Sequence, residues 1–329
     1  MTNLTRRARA VGAVVGAAAL IGTAAIGSSA AATAPDRATS PRAVPGNAAQ
    51  CSSTPLTAGY YRMWRDIRTT KPEDRAPNVQ SMDEIPPSVN IVSAFATKPT
   101  EDPDFWAALK STYVPKLHAQ GTKVIFTLFV DDLADANVAM TDAAYDAFAR
   151  QLVDSYVTSA GLDGLDIDVE QALSGTRLAK AAGIMKALGK YLGPSSGTGK
   201  YLVYDTNMDG THPLLQASAP YLSYVWVQSY GRSVSWLQGT WDSFAPYIQP
   251  CQYFIGFTFY EERGFNWYDA VNPLSSSRAA SYATWQPSGT RKGGLFAYAL
   301  DRDGKQPGDD TISKTDYSWI TQLAAKQAG

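Results

Sequence analysis

Eight short apolar runs alternate with helical patterns along the chain from residue 55 onward. Several of these runs, such as VIFTLFV and YFIGFTF, are apolar without interruption, which is typical of parallel strands buried on both faces. Strand–crossover units repeated eight times predict an α/β protein with a single (β/α)8 TIM barrel, and an open doubly wound sheet is the alternative. The predicted strands are Leu56–Met63, Asn90–Phe95, Lys123–Val130, Gly164–Val169, Tyr201–Asp205, Tyr221–Ser229, Tyr253–Phe259 and Gly294–Leu300.

The helical patterns between these strands are incomplete. Little helix is expected between the first strand and Pro86, the segment from Asp205 to Pro220 is expected to be mostly loop, and the seventh crossover is irregular. We therefore expect a barrel in which some helices are shortened or missing. The predicted helices, from apolar positions spaced three and four residues apart, are Asp104–Ala119, Thr141–Ala160, Thr176–Leu192, Ser235–Tyr247 and Thr315–Lys326.

The N-terminal segment has the layout of a secretory signal peptide. Three arginines within residues 6–9 precede an apolar run over residues 11–26, and small residues follow at 28–32. This order predicts a signal peptide over residues 1–32, cleaved after Ala30 or Ala32, and a membrane anchor is the alternative. Residues 33–50 are polar and aperiodic and are expected to form a flexible leader. The catalytic barrel would then span residues 51–329 of a secreted, extracellular protein, free of the membrane after cleavage.

The overall charge and the cysteine content limit the classes of partner. The 29 basic and 30 acidic residues nearly balance, so no basic excess indicates binding to a nucleic acid or an anionic membrane. Cys51 and Cys251 are the two cysteines of the chain, and an even pair in an exported protein predicts a disulfide, with two free thiols as the alternative. His118 and His212 are too far apart in the chain to indicate a metal site, and no glycine-rich phosphate loop is present. We expect no cofactor, no metal and a monomer.

Three carboxylates alternate with apolar residues in the fourth predicted strand, LDGLDIDVE. Because side chains on a strand point to alternate faces, Asp166, Asp168 and Glu170 should all point into the barrel. Burial and mutual repulsion raise the pKa of such carboxyls, and this keeps an acid protonated near neutral pH. Glu170 lies at the C-terminal end of the strand, where barrel active sites are found, so it is the candidate general acid. The alternatives are a hard-metal site, although the spacing of a calcium loop is lacking, and a structural acidic face.

The segment from Asp163 to Glu170 resembles the DGxDxDxE signature of glycoside hydrolase family 18. The run from Gln228 to Tyr230 resembles that family's sixth strand, and the run from Gly293 to Tyr298 resembles its eighth. Two positions depart from the family pattern. Tyr298 stands where many chitinases have a tryptophan, and the third strand ends in TLFVDD rather than Ser-x-Gly-Gly.

The resemblance implies a substrate-assisted mechanism, in which the 2-acetamido oxygen of the sugar attacks its own anomeric carbon. Glu170 would then act as acid and base, Asp168 would accept the acetamide N–H, and Asp166 would hold a shared proton and tune Asp168. Tyr230 and Gln228 would position the acetamido group, and Tyr298 would stack under the sugar. Trp64, Trp226 and Trp267 are further candidate sugar platforms.

Within the family, the chain is more similar to endo-β-N-acetylglucosaminidases of the endoglycosidase F and H type than to chitinases. No inserted α+β domain follows the seventh strand, and the run from Phe257 to Gly264 resembles the corresponding strand end of the F-type enzymes. The resemblance implies hydrolysis of the GlcNAc-β1,4-GlcNAc bond in an N-linked glycan or glycoprotein. The alternatives are a secreted chitinase and a glycan-binding lectin that lacks activity, although such lectins usually lose the residue at the position of Glu170.

Overall fold

Eight parallel strands close into a barrel in the computed structural model, which describes residues 51–70, 72 and 77–329. Each strand pairs with the next in sequence, and β8 pairs with β1, so the predicted (β/α)8 fold is confirmed. The predicted signal peptide, residues 1–32, and leader, residues 33–50, lie outside the described residues. The strands are β1 Leu56–Arg62, β2 Ile91–Phe95, β3 Lys123–Phe129, β4 Gly164–Val169, β5 Tyr201–Thr206, β6 Tyr224–Gln228, β7 Tyr253–Thr258 and β8 Gly294–Tyr298.

All eight predicted strands are present; β4 has the predicted bounds, and no strand end differs from the prediction by more than three residues. The largest difference is at β6, which was predicted to begin at Tyr221 and begins at Tyr224. A 3-10 turn over Ala219–Tyr221 precedes it, because Pro220 favours the first turn of a helix and cannot donate to a strand ladder.

Helices surround the barrel unevenly. The described helices are α1 Pro103–Ala108, α2 Val114–Ala119, α3 Val130–Ala134, α4 Asp142–Leu152, α5 Gly175–Leu188, α6 Pro213–Ser218, α7 Leu237–Phe244, α8 Arg278–Thr284 and α9 Ser318–Ala328. Between Arg62 and Pro86, the described residues form only two 3-10 turns, Met63–Arg65 and Met82–Glu84, as expected. The prediction that residues 205–220 are mostly loop missed α6, a helix too short to display a clear 3.6-residue period.

Short polar side chains set the starts of several helices. Asp102 accepts a hydrogen bond from the Phe105 amide at the start of α1, and Thr141 accepts one from Ala144 at the start of α4. Ser277 does the same for Ala280 at the start of α8. These are N-caps, which satisfy amides that have no partner within the helix. In the described part of the chain, no helix is both long and apolar enough to cross a membrane.

The hydrophobic core has two layers. The larger layer lies between the strands and the helices, and it includes Leu165, Ile167 and Val169 of β4. The smaller layer fills the barrel interior, where the rings of Trp226 and Phe296 stack with centroids 5.4 Å apart. A Cβ atom on Gly256 would lie 2.2 Å from the Phe296 ring, so β7 needs a glycine here to leave room for that ring.

Cys51 and Cys251 form a disulfide, with Cα atoms 5.5 Å apart and a sequence separation of 200, which confirms the predicted pairing. Cys51 precedes β1 and Cys251 precedes β7, so the bond lies at the N-terminal end of the barrel. The C-terminal helix reaches the same region, where Gln327 donates to the Leu56 carbonyl and to the Thr57 hydroxyl. The disulfide therefore ties the segment before β1 to the segment before β7, and Gln327 ties the C-terminal helix to β1.

Candidate active site

The carboxylates of β4 alternate with the apolar residues as predicted. Leu165, Ile167 and Val169 are fully buried against the helices, whereas Asp166 and Asp168 point into the barrel and are 0% and 6% exposed. Glu170 follows the last residue of β4 and is half-buried at the C-terminal end of the barrel. The strand pleat therefore places three carboxyl groups in a rising series from the interior to the mouth.

Asp166 is the deepest of the three carboxyls. Tyr60 and Thr127 donate their hydroxyls to Asp166 Oδ2, over 2.8 Å and 2.9 Å. The Thr127 hydroxyl also lies 2.6 Å from that of Ser93. Burial raises the pKa of Asp166 to about 7, although the two hydroxyl donors offset part of the effect. Burial therefore favours the protonated form of Asp166.

Asp168 lies beside a fourth carboxyl, which belongs to Asp205 on β5. The two residues are register partners in the β4–β5 ladder. Burial, together with the charges of Glu170 and Asp205, raises the pKa of Asp168 well above its ordinary value. Burial and the charge of Asp166 do the same for the pKa of Asp205, which is 2% exposed.

Gln228, the last residue of β6, connects Glu170 to Asp205. Its Nε2 atom lies 2.7 Å from Glu170 Oε1 and 2.6 Å from Asp205 Oδ2, so each of its two N–H groups bonds to one carboxyl. Burial raises the pKa of the Glu170 carboxyl, and the hydrogen bond from Gln228 offsets part of that rise. A half-buried carboxyl with a raised pKa has the properties of a general acid.

Two tyrosines of the site pack over the inner core. Tyr230 follows β6 and Tyr298 ends β8, and their ring centroids are 6.4 Å apart. Burial and the charges of Asp205 and Glu170 raise the pKa of Tyr230, which keeps its hydroxyl protonated as a hydrogen-bond donor. Tyr298 Oη lies 3.4 Å from Glu261 Oε1. The fold therefore brings all six predicted site residues to the interior and mouth of one barrel.

The three candidate tryptophans differ in position. Trp226 is 0% exposed and stacks on Phe296 inside the barrel, so its assignment as a sugar platform is wrong. Trp64 is also buried, at 7% exposure. Trp267 is half-buried, with its ring centroid 4.5 Å from that of Phe265 and 6.4 Å from that of Tyr230.

A buried charge cluster supports the β1, β7 and β8 side of the site. Arg62, at 0% exposure, donates to Asp301, Glu261 and Glu262. Glu262 also pairs with Arg65 and Arg302. Burial alone would raise the pKa of Glu262, but the arginines lower it to about 2. Glu261 is the member of this cluster that reaches Tyr298, and its side chain is 32% exposed.

Sequence reasoning missed Asp205 and the Arg62 cluster. Asp205 ends the predicted fifth strand, and its position at a strand C-terminus was the available signal. Among the described residues, no group of three or more Cys, His, Asp or Glu side chains has the arrangement of a metal site.

Comparison with known proteins identifies the family. The sequence model of the endo-β-N-acetylglucosaminidase EndoS TIM-barrel domain matches residues 59–297. Endo-β-N-acetylglucosaminidase F2 of Elizabethkingia meningoseptica is 42% identical over 252 residues, which cover 75% of this chain and 73% of that protein. The chain belongs to the endo-β-N-acetylglucosaminidase family. The predicted family and the predicted enzyme class, a glycoside hydrolase, are thereby confirmed.

Solved structures of this family are similar over most of the barrel. The apo endo-β-N-acetylglucosaminidase from Cordyceps militaris is 47% identical, with a TM-score of 0.80 over 84% of this chain and 92% of that chain. A family 18 chitinase from Cycas revoluta is 13% identical, with a TM-score of 0.56 over 83% of this chain and 100% of that chain, which shows the common fold alone. The relatives therefore favour the endo-β-N-acetylglucosaminidase prediction over the chitinase alternative.

Proposed function

We propose that the chain hydrolyses the GlcNAc-β1,4-GlcNAc bond of the N-glycan core and leaves one N-acetylglucosamine on the protein. The observation that carries this proposal is the position of Glu170, half-buried at the mouth, bonded to Gln228 and adjacent to the Asp168–Asp205 pair. A carboxyl with a raised pKa at the mouth, above a second carboxyl that can accept an N–H, matches the needs of substrate-assisted cleavage.

The reaction follows from these positions. The sugar's 2-acetamido oxygen attacks C1, the C1–O bond to the leaving sugar breaks, and Glu170 gives its proton to the leaving oxygen. Asp168 accepts the acetamide N–H and stabilises the positive oxazolinium. Glu170 then takes a proton from water, which attacks C1 as the bond between C1 and the acetamido oxygen breaks, so the acetamide is restored and the configuration at C1 is retained.

Further residues support the reacting sugar. Tyr230 donates its hydroxyl to the acetamide oxygen, and Gln228 orients the Glu170 carboxyl towards the scissile bond. Tyr298 lies at the floor of the sugar site, where its ring packs over the inner core. Asp166, deeper in the barrel, keeps a proton near Asp168 because burial raises its pKa to about 7.

A second solved structure supports the choice of substrate. A Cordyceps militaris variant with an aspartate-to-asparagine and a glutamate-to-glutamine substitution two positions apart was solved with fucosyl-N-acetylglucosamine-Asn, at a TM-score of 0.80 and 46% identity. Asp168 and Glu170 have the same spacing. That ligand carries one N-acetylglucosamine on asparagine, which is the group that remains after cleavage between the two core sugars.

The experiment offers the purified protein an N-glycosylated protein and chitin oligomers at matched concentrations. We expect the glycoprotein to lose all of each N-glycan except one N-acetylglucosamine, as read by intact mass, with Glu170→Gln as the inactive control. Rapid cleavage of chitin oligomers without a mass loss from the glycoprotein would instead favour a chitinase. Binding without cleavage of either substrate would favour the lectin alternative.

We also infer that residues 1–32 direct export, so that residues 51–329 act outside the cell as a monomeric catalytic barrel. The disulfide between Cys51 and Cys251 supports an oxidising compartment, where such bonds persist. Expression of the full chain with recovery from the medium tests this. We expect a mature N-terminus after Ala30 or Ala32 by mass spectrometry, and a monomer by size-exclusion chromatography. Retention of the uncleaved chain in the membrane would contradict it.

A further inference from the structure

We propose that Thr206 and His212 are positioning residues for Glu170. Each donates a side-chain hydrogen bond to a backbone carbonyl next to Glu170, Thr206 to the residue before it and His212 to the residue after it. Thr206 ends β5, and His212 directly precedes α6. Both would act on the substrate through the general acid. The inference deepens the proposed function and rests on it.

Glu170 lies just beyond the end of the strand ladder. Regular pairing between β4 and β5 stops at Val169 and Thr206, so the ladder does not extend to Glu170 itself. The position of the general acid therefore depends on how the backbone is held after the strand ends. Side chains from the next strand and from the loop that follows it supply the hydrogen bonds at this point.

Thr206 holds the residue before Glu170. Its Oγ1 atom donates to the carbonyl of Val169 over 2.7 Å and accepts from the amide of Met208 over 2.9 Å. A hydroxyl can do both, since it has one donor and two acceptor positions. The side chain is 1% exposed, so water does not compete for these bonds. One hydroxyl thus connects the end of β4 to the turn after β5.

His212 holds the residue after Glu170. Its Nε2 atom lies 3.1 Å from the carbonyl oxygen of Gln171, and its Nδ1 atom lies 3.1 Å from Oη of Tyr204. A carbonyl only accepts, so Nε2 must carry the hydrogen, and Nδ1 of the neutral ring then accepts from Tyr204. Burial lowers the pKa of His212 and raises that of Tyr204, which favours a neutral ring beside a protonated hydroxyl. The two contacts therefore select a single tautomer.

The loop that presents His212 is itself anchored. The His212 amide donates to the Asp209 carbonyl over 3.1 Å, and the Gly210 amide donates to Oγ of Ser243 in α7 over 3.0 Å. A Cβ atom on Gly210 would lie 2.0 Å from the backbone oxygen of Ser243, so this close approach requires a glycine. The imidazole is therefore offered to Gln171 by a fixed segment.

Gln171 is held at its side chain as well. Its Nε2 atom donates to Asp131 of α3 over 2.6 Å, and its Oε1 atom accepts from Arg177 of α5 over 3.3 Å. The backbone on both sides of Glu170 is thus fixed, while Gln228 fixes the carboxyl group from β6. A displacement of about 1 Å in a catalytic group can cost about 100-fold in rate, so these supports should matter for proton transfer.

The first test compares Thr206→Val with Thr206→Ser on an N-glycosylated protein. Valine keeps the shape of threonine and removes the donor to Val169, so kcat should fall by about 10–100-fold. KM should stay within about threefold, because the substrate contacts remain. Serine keeps a hydroxyl, and its kcat should also stay within about threefold of the wild type.

The second test compares His212→Phe with His212→Gln. Phenylalanine fills the space of the ring but leaves the Gln171 carbonyl without its donor, so kcat should again fall by about tenfold or more with little change in KM. Glutamine reaches about as far as Nε2 of histidine and can donate to the same carbonyl. It should recover most of the lost kcat.

Thr122→Val is the matched control. Thr122 is also 1% exposed, and its Oγ1 atom donates to the Val89 carbonyl over 2.8 Å, but it lies just before β3 at the opposite end of the barrel. Its substitution should lower the melting temperature about as much as Thr206→Val and leave kcat unchanged. Wild-type kcat in folded Thr206→Val and His212→Phe would show that the two residues only stabilise the fold.

The tautomer of His212 can be read from the wild-type protein alone, so this measurement stands even if a variant does not fold. The chain has two histidines, and ¹⁵N NMR spectra of the wild type and of His118→Gln assign their signals. We expect the neutral Nε2–H form for His212 at neutral pH. The Nδ1–H form would have no donor for Gln171 and would overturn the role of His212.

The outcomes separate the inference from the proposed function. A wild type that releases no glycan would overturn the proposed function, and the positioning role with it. An active wild type whose Thr206→Ser and His212→Gln variants are as slow as Thr206→Val and His212→Phe would overturn the positioning role alone. The same holds if all four variants keep the wild-type kcat.

Discussion

Gln228 Nε2 lies 2.7 Å from Oε1 of Glu170, so an amide from β6 bonds to the carboxyl group that follows β4. Glu170→Gln keeps this hydrogen bond, because the amide oxygen of the new side chain still accepts from Gln228. It removes the transferable proton, so kcat should fall by about 10²–10⁴-fold while glycan binding persists. Single-turnover kinetics measure the loss of turnover, and calorimetric titration measures glycan binding. A folded variant with more than a few per cent of wild-type turnover would refute the role of Glu170.

Asp168→Asn should separate oxazolinium formation from later steps. The amide cannot supply the negative charge that stabilises the oxazolinium, so hydrolysis of the natural glycan should slow by about 10²-fold or more. In a synthetic sugar oxazoline the ring has already formed, so the variant should still use this compound as a donor. It should then hydrolyse the product slowly. Product formation by mass spectrometry measures both reactions. Wild-type kinetics on the natural glycan would mean that Asp168 is structural.

Asp166 should make stability depend on pH in a defined window. The pKa of its carboxyl is about 7 in the folded protein and 3.8 in the reference state, so folding binds a proton between these values. Its contribution to stability is therefore complete below about pH 4 and is lost as the pH rises through 7. Asp166→Asn reproduces the protonated form at every pH.

The free energy of unfolding of Asp166→Asn minus that of the wild type should rise by roughly 1–3 kcal/mol from pH 4 to pH 8. Urea denaturation of both proteins at the two pH values measures this difference. A constant difference across the window would show that Asp166 does not titrate there.

Arg62→Met should be strongly destabilising. The arginine is fully buried and bonds to three carboxylates, so its loss leaves buried negative charge without compensation. Removing one side of such a cluster costs about 3–5 kcal/mol. Arg177→Met is the matched control, because Arg177 also pairs with two aspartates but is 39% exposed. Its loss should cost less than about 1 kcal/mol in denaturant titrations. Equal losses from the two substitutions would contradict a buried cluster.

The double variant Cys51→Ser with Cys251→Ser should fold into the same barrel with lower stability. The bond closes a 200-residue loop, and its loss should cost about 2–4 kcal/mol. A lower melting temperature with unchanged kcat below that temperature is the expected result. Two free thiols in the denatured, non-reduced wild type would show that the bond does not form.

The fourth strand was predictable because its chemistry is local. A period of two and one run of nine residues determine which β4 side chains point inward, and the structure places Asp166 and Asp168 accordingly. Trp226 shows the limit of this reasoning. Its inward direction follows from the same period, but whether an inward residue lies deep in the barrel or at the mouth depends on the stagger between strands.

Asp205 and Arg62 were missed because their partners are distant in sequence. Arg62 bonds to Asp301, 239 residues away, and Asp205 bonds to Gln228 of another strand. No spacing rule within one chain segment connects such positions. Barrel closure, which brings β1 next to β8, creates the contacts of Arg62, and the pairing of β5 with β6 creates the contact between Gln228 and Asp205.

Tyr60 donates to Asp166, and the same ring packs edge-on against Trp226 and Phe296. The aromatic interior that holds the barrel together is therefore also the medium that removes Asp166 from water. Substitutions that make this interior more polar would shift the working pH. The same substitutions would remove packing from the core. Optimum pH and heat resistance are consequently linked traits at this position, and adjusting one independently of the other requires changes at the mouth of the barrel instead.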